Sequence, residues 1–211
     1  MAQHTRVPQQ RTAADRWPVA FGVGHRAIAG LSIRGKVRVI DETARVLAKL
    51  RDERGTTVGI SGMRPGWETT WAHAVLEAGL RLWAYCPGPW QASDWSGLQH
   101  REWASLLARA DVVEYAGEQY SVATLRRRAE MMVAAANVGV ACWVNGRVNG
   151  ETYRTLTHAV GRLGRPVVWI DPDAPAGELS VLPSERAWRQ RLHLPAAPDP
   201  LFDTAALAVA R

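Results

Sequence analysis

Between residues 17 and 171 the chain alternates short apolar runs with amphipathic stretches of helical period, a pattern few architectures accommodate. The apolar runs are Val19–Val23, Thr57–Ile60, Leu80–Tyr85, Asp111–Glu114, Val138–Val144 and Pro166–Ile170, each of strand length. Val37–Arg54, Trp67–Ala78, Val122–Ala136 and Gly150–Leu163 lie between them and read as helices. In the first of these, Val37, Ile40, Ala44, Leu47 and Leu50 recur close to helical spacing and mark the face expected to meet the core. Strands separated by helices imply βαβ units and a mainly parallel sheet. The run VGVACWV is apolar on both faces, as a strand covered by helices on both sides must be. The expected fold class is therefore α/β: a Rossmann-like, doubly wound, mainly parallel sheet of about six strands flanked by helices.

A length of 211 residues suits one large domain, or one domain with tails. Residues 1–16 are polar and expected to be mobile, and residues 17–171 carry the domain. Residues 172–211 form a Pro- and Ala-rich tail with short helical pieces at 184–192 and 203–210. Cys86 and Cys142 are the only cysteines, and each sits inside an apolar run. They read as buried small hydrophobes, not as a disulfide or a zinc site, and a reducing compartment fits. The amino terminus lacks the apolar stretch of a signal peptide, and no apolar run reaches the ~18–20 residues of a membrane span. A soluble, cytoplasmic protein without metal or tightly held cofactor is expected. The formal charge is +6, and only Lys36 and Lys49 among the 26 basic residues are not Arg. A basic balance alone does not make a nucleic-acid surface, which also needs clustered charge and reading elements. The densest cluster, Arg126–Arg128, falls on an expected helix.

Open parallel sheets bind ligands beyond the carboxyl ends of their strands, so those positions carry the functional reading. After the first strand come Gly22, Gly24, His25 and Arg26; after the second come Ser61, Gly62 and Met63. After the fifth comes Asn145-Gly-Arg-Val-Asn-Gly-Glu-Thr152, in which Gly150, Glu151 and Thr152 open a helix. Glycine lets a backbone approach a phosphate closely, and the free N–H groups of a helix start supply donors and a favourable dipole. Thr152 offers a hydroxyl, and Arg26 or Arg128 a bidentate charge. Any one of these glycines is equally explained by a loop's need for positive φ. Three glycine-bearing strand ends on one sheet edge favour a ligand.

The order of these motifs — GHR, ISGM, PGPWQASDW, LRRRAEMMV and NGRVNGET — resembles the SLOG superfamily, and within it the YpsA-like branch. The resemblance spans roughly residues 18–171. It implies a Rossmann-like fold and binding of nucleotides, nucleotide sugars or NAD-derived molecules. The superfamily includes the Lonely Guy phosphoribohydrolases and the DNA-processing A proteins, which bind single-stranded DNA. Gly24, His25 and Arg26 match its first-strand motif, Ser61 and Gly62 its second, and Gln91 and Trp95 the polar and aromatic positions after strand three. Arg128 and Met132 match the helix motif, with Ala129 in place of the usual Asn. Gly150 and Thr152 match the phosphate-binding Gly-Gly-Thr segment, where Asn149 stands for the first Gly and Glu151 intrudes before Thr. The implied ligand site is thus Gly24, His25, Arg26, Ser61, Gly62, Gln91, Trp95, Arg128, Asn145, Gly150 and Thr152. Relatives often dimerise, and the C-terminal tail is open to two packings, on a second copy or around its own domain.

Three functions follow from this reading. Cleavage of an N-glycosidic bond needs a carboxylate near the sugar. The Lonely Guy enzymes place that Glu three residues after the Thr, whereas Tyr153, Arg154 and Thr155 follow Thr152 here. Glu68 and Glu130 are candidate substitutes, although each reads better as a solvated helix charge, and Glu151 reads as pointing away from a phosphate it would repel. Single-stranded DNA binding is invited by the basic charge and by Trp90, Trp95 and Trp103 near Arg101, whereas Trp83, Trp143 and Trp169 fall within strands and read as core. The expectation placed first is a nucleotide-like small molecule bound by a sensor or sequestering protein, with the hydrolase and the DNA binder as alternatives.

Overall fold

The structure, a computed structural model, describes residues 16–25, 30–144, 146–174 and 180–195. Most of the expected N-terminal segment and the expected helix at 203–210 lie outside the described residues. One sheet runs in the order β4-β3-β2-β1-β5-β6-β7. Its strands are β1 (Val19–Gly24), β2 (Val58–Ser61), β3 (Arg81–Cys86), β4 (Val112–Tyr115), β5 (Val138–Cys142), β6 (Val167–Ile170) and β7 (Ser180–Val181). The first six are parallel, and β7 pairs antiparallel on β6. The fold is the Rossmann-like, doubly wound α/β class expected, with one more strand than the apolar runs indicate. β7 is two residues long, too short to show a period of its own.

Among the described residues six α-helices cover the sheet: α1 (Ile33–Arg54), α2 (Trp67–Glu77), α3 (Gly97–Ala108), α4 (Val122–Ala135), α5 (Gly150–Gly161) and α6 (Glu185–Arg191). Strand side chains alternate between two cores, the consequence of the twofold repeat of a strand. Ala20, Val138, Val140 and Cys142 pack with α1, α2 and α3, whereas Phe21, Val23, Ala141 and Trp143 pack with α4, α5 and α6. Cys86 and Cys142 are buried and unpaired. Trp143 and Trp169 are core residues, and Trp83 packs against the second core while remaining partly exposed. α6 belongs to that second core as well: Trp188 is buried, and its indole N–H donates to Val167 O at 2.8 Å.

α1 is longer than the expected Val37–Arg54 helix and buries only part of its apolar set. It begins at Ile33, because the Ser32 hydroxyl accepts from Gly35 N at 3.1 Å and caps the first turn. Its buried face is Val39, Thr43, Val46, Leu47 and Leu50. Val37 and Ile40 are 50% and 45% exposed, and Ala44 is exposed too. The apolar arc of this helix is wider than the face the sheet covers, so the stripe seen in the sequence straddles the boundary of the core.

Strands proceed from β1 through β2 and β3 to β4 on one side, and through β5 to β6 on the other. The switch point therefore lies between β1 and β5, where His25 N donates to Cys142 O at 3.2 Å. Among the described residues, no helix is long and apolar enough to cross a membrane.

Candidate functional site

Four charged side chains from four elements meet at the carboxyl ends of the strands. Arg64 lies between β2 and α2, Glu68 in the first turn of α2, Arg128 in α4 and Glu151 in the first turn of α5. Arg64 Nε and Nη2 donate to Glu68 Oε1 at 2.9 and 2.5 Å, and its Nη1 donates to Glu151 Oε2 at 2.6 Å. Arg128 Nη1 donates to Gly62 O at 3.0 Å and stands 3.7 Å from Glu68 Oε2, while its Nη2 donates to Glu151 Oε1. Two guanidiniums and two carboxylates thus close a ring of alternating charge. Glu68 and Arg128 have side chains only 1% exposed; those of Arg64 and Glu151 are 18% and 19% exposed. Charges this deep persist only when paired. Burial acts to raise the Glu68 pKa, but the neighbouring Arg64 and Arg128 outweigh it and hold the carboxyl below its usual range. Burial draws Arg128 down to about 10, against the pull of Glu68, and leaves it cationic at neutral pH.

The backbone beneath the ring is built for it. Ser61 Oγ donates to Glu68 O at 2.8 Å and accepts from Met63 N at 3.1 Å, which folds the β2 end back onto α2. Met63 completes the turn at φ 61°, a left-handed conformation that strains a non-glycine residue. A Cβ on Gly62 would stand 2.6 Å from Glu68 Oε2 and 2.8 Å from Arg128 Nη1, so any larger residue would have to push these charged groups aside. Gln91 Nε2 adds a second bond to Gly62 O at 2.9 Å. Thr152 Oγ1 donates to Gly24 O at 3.0 Å and pins the start of α5 to the end of β1. Gly150, at φ 82°, precedes it with no atom within 4 Å of where a Cβ would stand.

His25 sits at the rim. Burial first, then the charges of Arg147 and Arg64, lower its pKa to about 4, so the imidazole is neutral at pH 7. Its Nε2 is buried and has no hydrogen-bond partner among the described residues. Arg147 is fixed from below, since Trp143 Nε1 donates to Arg147 O at 3.2 Å.

Of the residues expected in the site, Gly24, Ser61, Gly62, Gln91, Arg128, Gly150 and Thr152 converge here with His25. Trp95 instead packs edge-on against Trp103, 6.3 Å between centroids, at the margin of the first core. Arg26 and Asn145 lie outside the described residues. Two readings of the glutamates are corrected. Glu68 is not a solvated helix charge but the most buried acid of the site, because the guanidiniums of Arg64 and Arg128 replace its water. Glu151 turns into the ring and not away from it, drawn by the same two guanidiniums. Arg64 escaped sequence reasoning, although Arg64 and Glu68 stand four residues apart directly after a strand. Two concavities lie elsewhere: one of about 180 Å³ includes Trp17, Arg45 and Lys49, and another is lined by Gly146, Gln190, Arg191 and His193.

No family model matches the sequence, and no curated protein matches it either. Solved structures do. DNA processing protein A from Streptococcus pneumoniae is 21% identical, with a TM-score of 0.55 over 77% of this chain and 53% of that one. DNA processing protein A from Helicobacter pylori is 14% identical, with a TM-score of 0.53 over 77% of this chain and 69% of the other. The likeness is one of fold. The chain spans about half the length of the Streptococcus protein.

Proposed function

We propose that the chain binds a nucleotide-derived phosphorylated small molecule — a nucleotide, a nucleotide sugar or an ADP-ribose-like derivative of NAD — beyond the ends of β1 and β5, as a sensor or sequestering protein. The observation that carries this reading is the His25 imidazole at the switch point, whose buried Nε2 has no partner among the described residues, with Arg147 beside it. Arg64 and Arg147 act on it electrostatically. Open sheets place phosphorylated ligands at such a crevice, beside the first turn of a helix. Binding is favoured over glycosidic cleavage because Glu68, the acid fixed beside the strand ends, is sealed in and paired with Arg64 and Arg128, which hold it away from base chemistry.

The test is calorimetry of the purified chain with AMP, ADP-ribose and a nucleotide sugar, accompanied by native mass spectrometry for stoichiometry and any co-purifying ligand. Saturable binding, weakened about tenfold or more in His25→Ala and Arg147→Ala, is expected. Absence of binding to all three compounds overturns the reading, and release of free base on incubation redirects it to a hydrolase.

A second reading has its own observation. Tyr120 is 70% exposed and meets Trp90 edge-on at 5.2 Å, at the same end of the sheet, and α4 behind it carries exposed Arg126 and Arg127. An exposed aromatic beside basic residues is a platform for an unpaired base. The Helicobacter protein of like fold binds single-stranded DNA. Fluorescence anisotropy with a labelled oligothymidylate across a salt series decides it: affinity that falls steeply with salt and is lost in Tyr120→Ala supports DNA, and no binding at low salt removes it.

A further inference from the structure

We infer that the Glu151 carboxylate is a built-in stand-in for the ligand's anionic group, so that a phosphate monoester bound at the switch point displaces it and takes over its bonds from Arg64 and Arg128. This rests on the anion-binding reading above and adds how the site is regulated.

The charge count comes first. Arg64 and Arg128 are balanced by Glu68 and Glu151, so the closed ring is neutral and offers little attraction to a phosphate. Without Glu151 the same group of side chains carries one uncompensated positive charge. A single anion restores the balance.

Burial then separates the two acids. Glu68 is sealed in by α2 and held additionally by Arg64 N, which donates to its Oε2 at 3.3 Å. Glu151 lies at the solvent-facing side of the ring, and its side-chain bonds are those from Arg64 and Arg128. It can turn outward into water with its backbone still in α5, where Thr155 Oγ1 holds Glu151 O at 2.9 Å. Glu68 has no such exit.

Geometry supplies the third step. Arg64 Nη1 reaches one oxygen of Glu151 and Arg128 Nη2 reaches the other, so two guanidiniums from opposite sides grip one carboxylate. Two oxygens of a phosphate fit the same pair of donors. Arg128 also retains a buried Nε with no acceptor among the described residues. The carboxylate leaves this guanidinium unsatisfied, and a phosphate has a further oxygen to offer it. The first turn of α5, which begins at the open Gly150, adds a dipole that favours an anion.

The experiment titrates wild type, Glu151→Gln and Glu151→Ala with AMP and, separately, inorganic phosphate by calorimetry, with circular dichroism melts alongside. Removing the internal competitor is expected to tighten AMP binding by about tenfold or more in Glu151→Gln. Inorganic phosphate is expected to raise the Tm of Glu151→Ala by about 3 °C or more at saturating concentration, and to leave wild type unmoved. Tightening toward AMP with no response to inorganic phosphate supports displacement by an esterified phosphate; equal responses support free phosphate as a sufficient ligand. Equal AMP affinity in wild type and Glu151→Gln overturns displacement and leaves the anion-binding reading standing. Folded variants that bind neither compound, like wild type, overturn displacement, and the binding reading falls with it when ADP-ribose and the nucleotide sugar fail as well. Variants that stay unfolded even in saturating phosphate show Glu151 to be a fixed structural ion, and overturn displacement alone.

Discussion

Glu68 and His25 are both held in the form they prefer at neutral pH, and acid works against each of them in a different range. The folded protein lowers the Glu68 pKa from 4.5, so its contribution to stability is complete above that value and is lost as pH falls through the lowered one. His25 is lowered from 6.5 to about 4, so the unfolded chain takes up its proton first and stability declines as pH falls from 6.5 toward 4. Urea unfolding followed at a series of pH values should show this two-stage decline, with the upper stage flattened in His25→Ala. In NMR titrations the imidazole of the free protein is expected to titrate near pH 4, and to move upward when a phosphorylated ligand places negative charge beside it. Glu68→Ala leaves Arg64 and Arg128 without their buried partner and should cost about 3–5 kcal/mol of unfolding free energy. Gly62→Ala drives a methyl into the same ring and should cost about 1–3 kcal/mol. Little of this was legible in the sequence. Glycines and Thr152 stand out because they follow apolar strands, and Arg128 because it matches a helix motif, but Arg64, Glu68 and Glu151 are scattered over 88 positions, and each alone resembles a surface charge. Only the packing of α2, α4 and α5 on one sheet edge makes them a site.

Strands were easier to read than helix faces. A strand buried on both sides is a plain apolar run, as in β2 and β5, and β1 and β6 come close to it; β3 alternates, and β4 lies exposed at the sheet edge. A helix must be read by angle, and α1 has apolar residues over an arc that the sheet covers only in part. The consequence is measurable: Leu47→Ala should cost about 2–5 kcal/mol, since the side chain is fully buried. Val37→Glu should stay within about 0.5 kcal/mol of wild type, because half of that residue already faces water. Chemical denaturation of the two variants distinguishes the faces directly. Comparable losses in both would mean that α1 is rotated from the orientation described here.

The winding of the whole chain determines where chemistry can gather. Successive helices cover one face as the strands step outward from β1 to β4, and the return through α4 to β5 leaves the two innermost strands with diverging connections. The edge where this crevice opens could be placed from sequence alone, since parallel strands joined by helices all end on one side; the switch point between β1 and β5 could not, because it depends on the strand order. The closing of the second core by α6 could not, because a short helix in a Pro-rich stretch carries no sign of what it packs against. Trp188 shows that packing, and Trp188→Ala should cost about 3–5 kcal/mol. Its ring lies 5.8 Å from Trp143 and 6.1 Å from Trp169, with Trp143 and Trp169 also 6.1 Å apart and all three planes tilted. Three indoles fixed at such separations and angles absorb light as one chiral chromophore, and Trp143 is tethered to the loop that carries Arg147. The protein therefore contains its own optical reporter. A ligand that draws Arg147 inward should alter the near-ultraviolet circular dichroism without any added label.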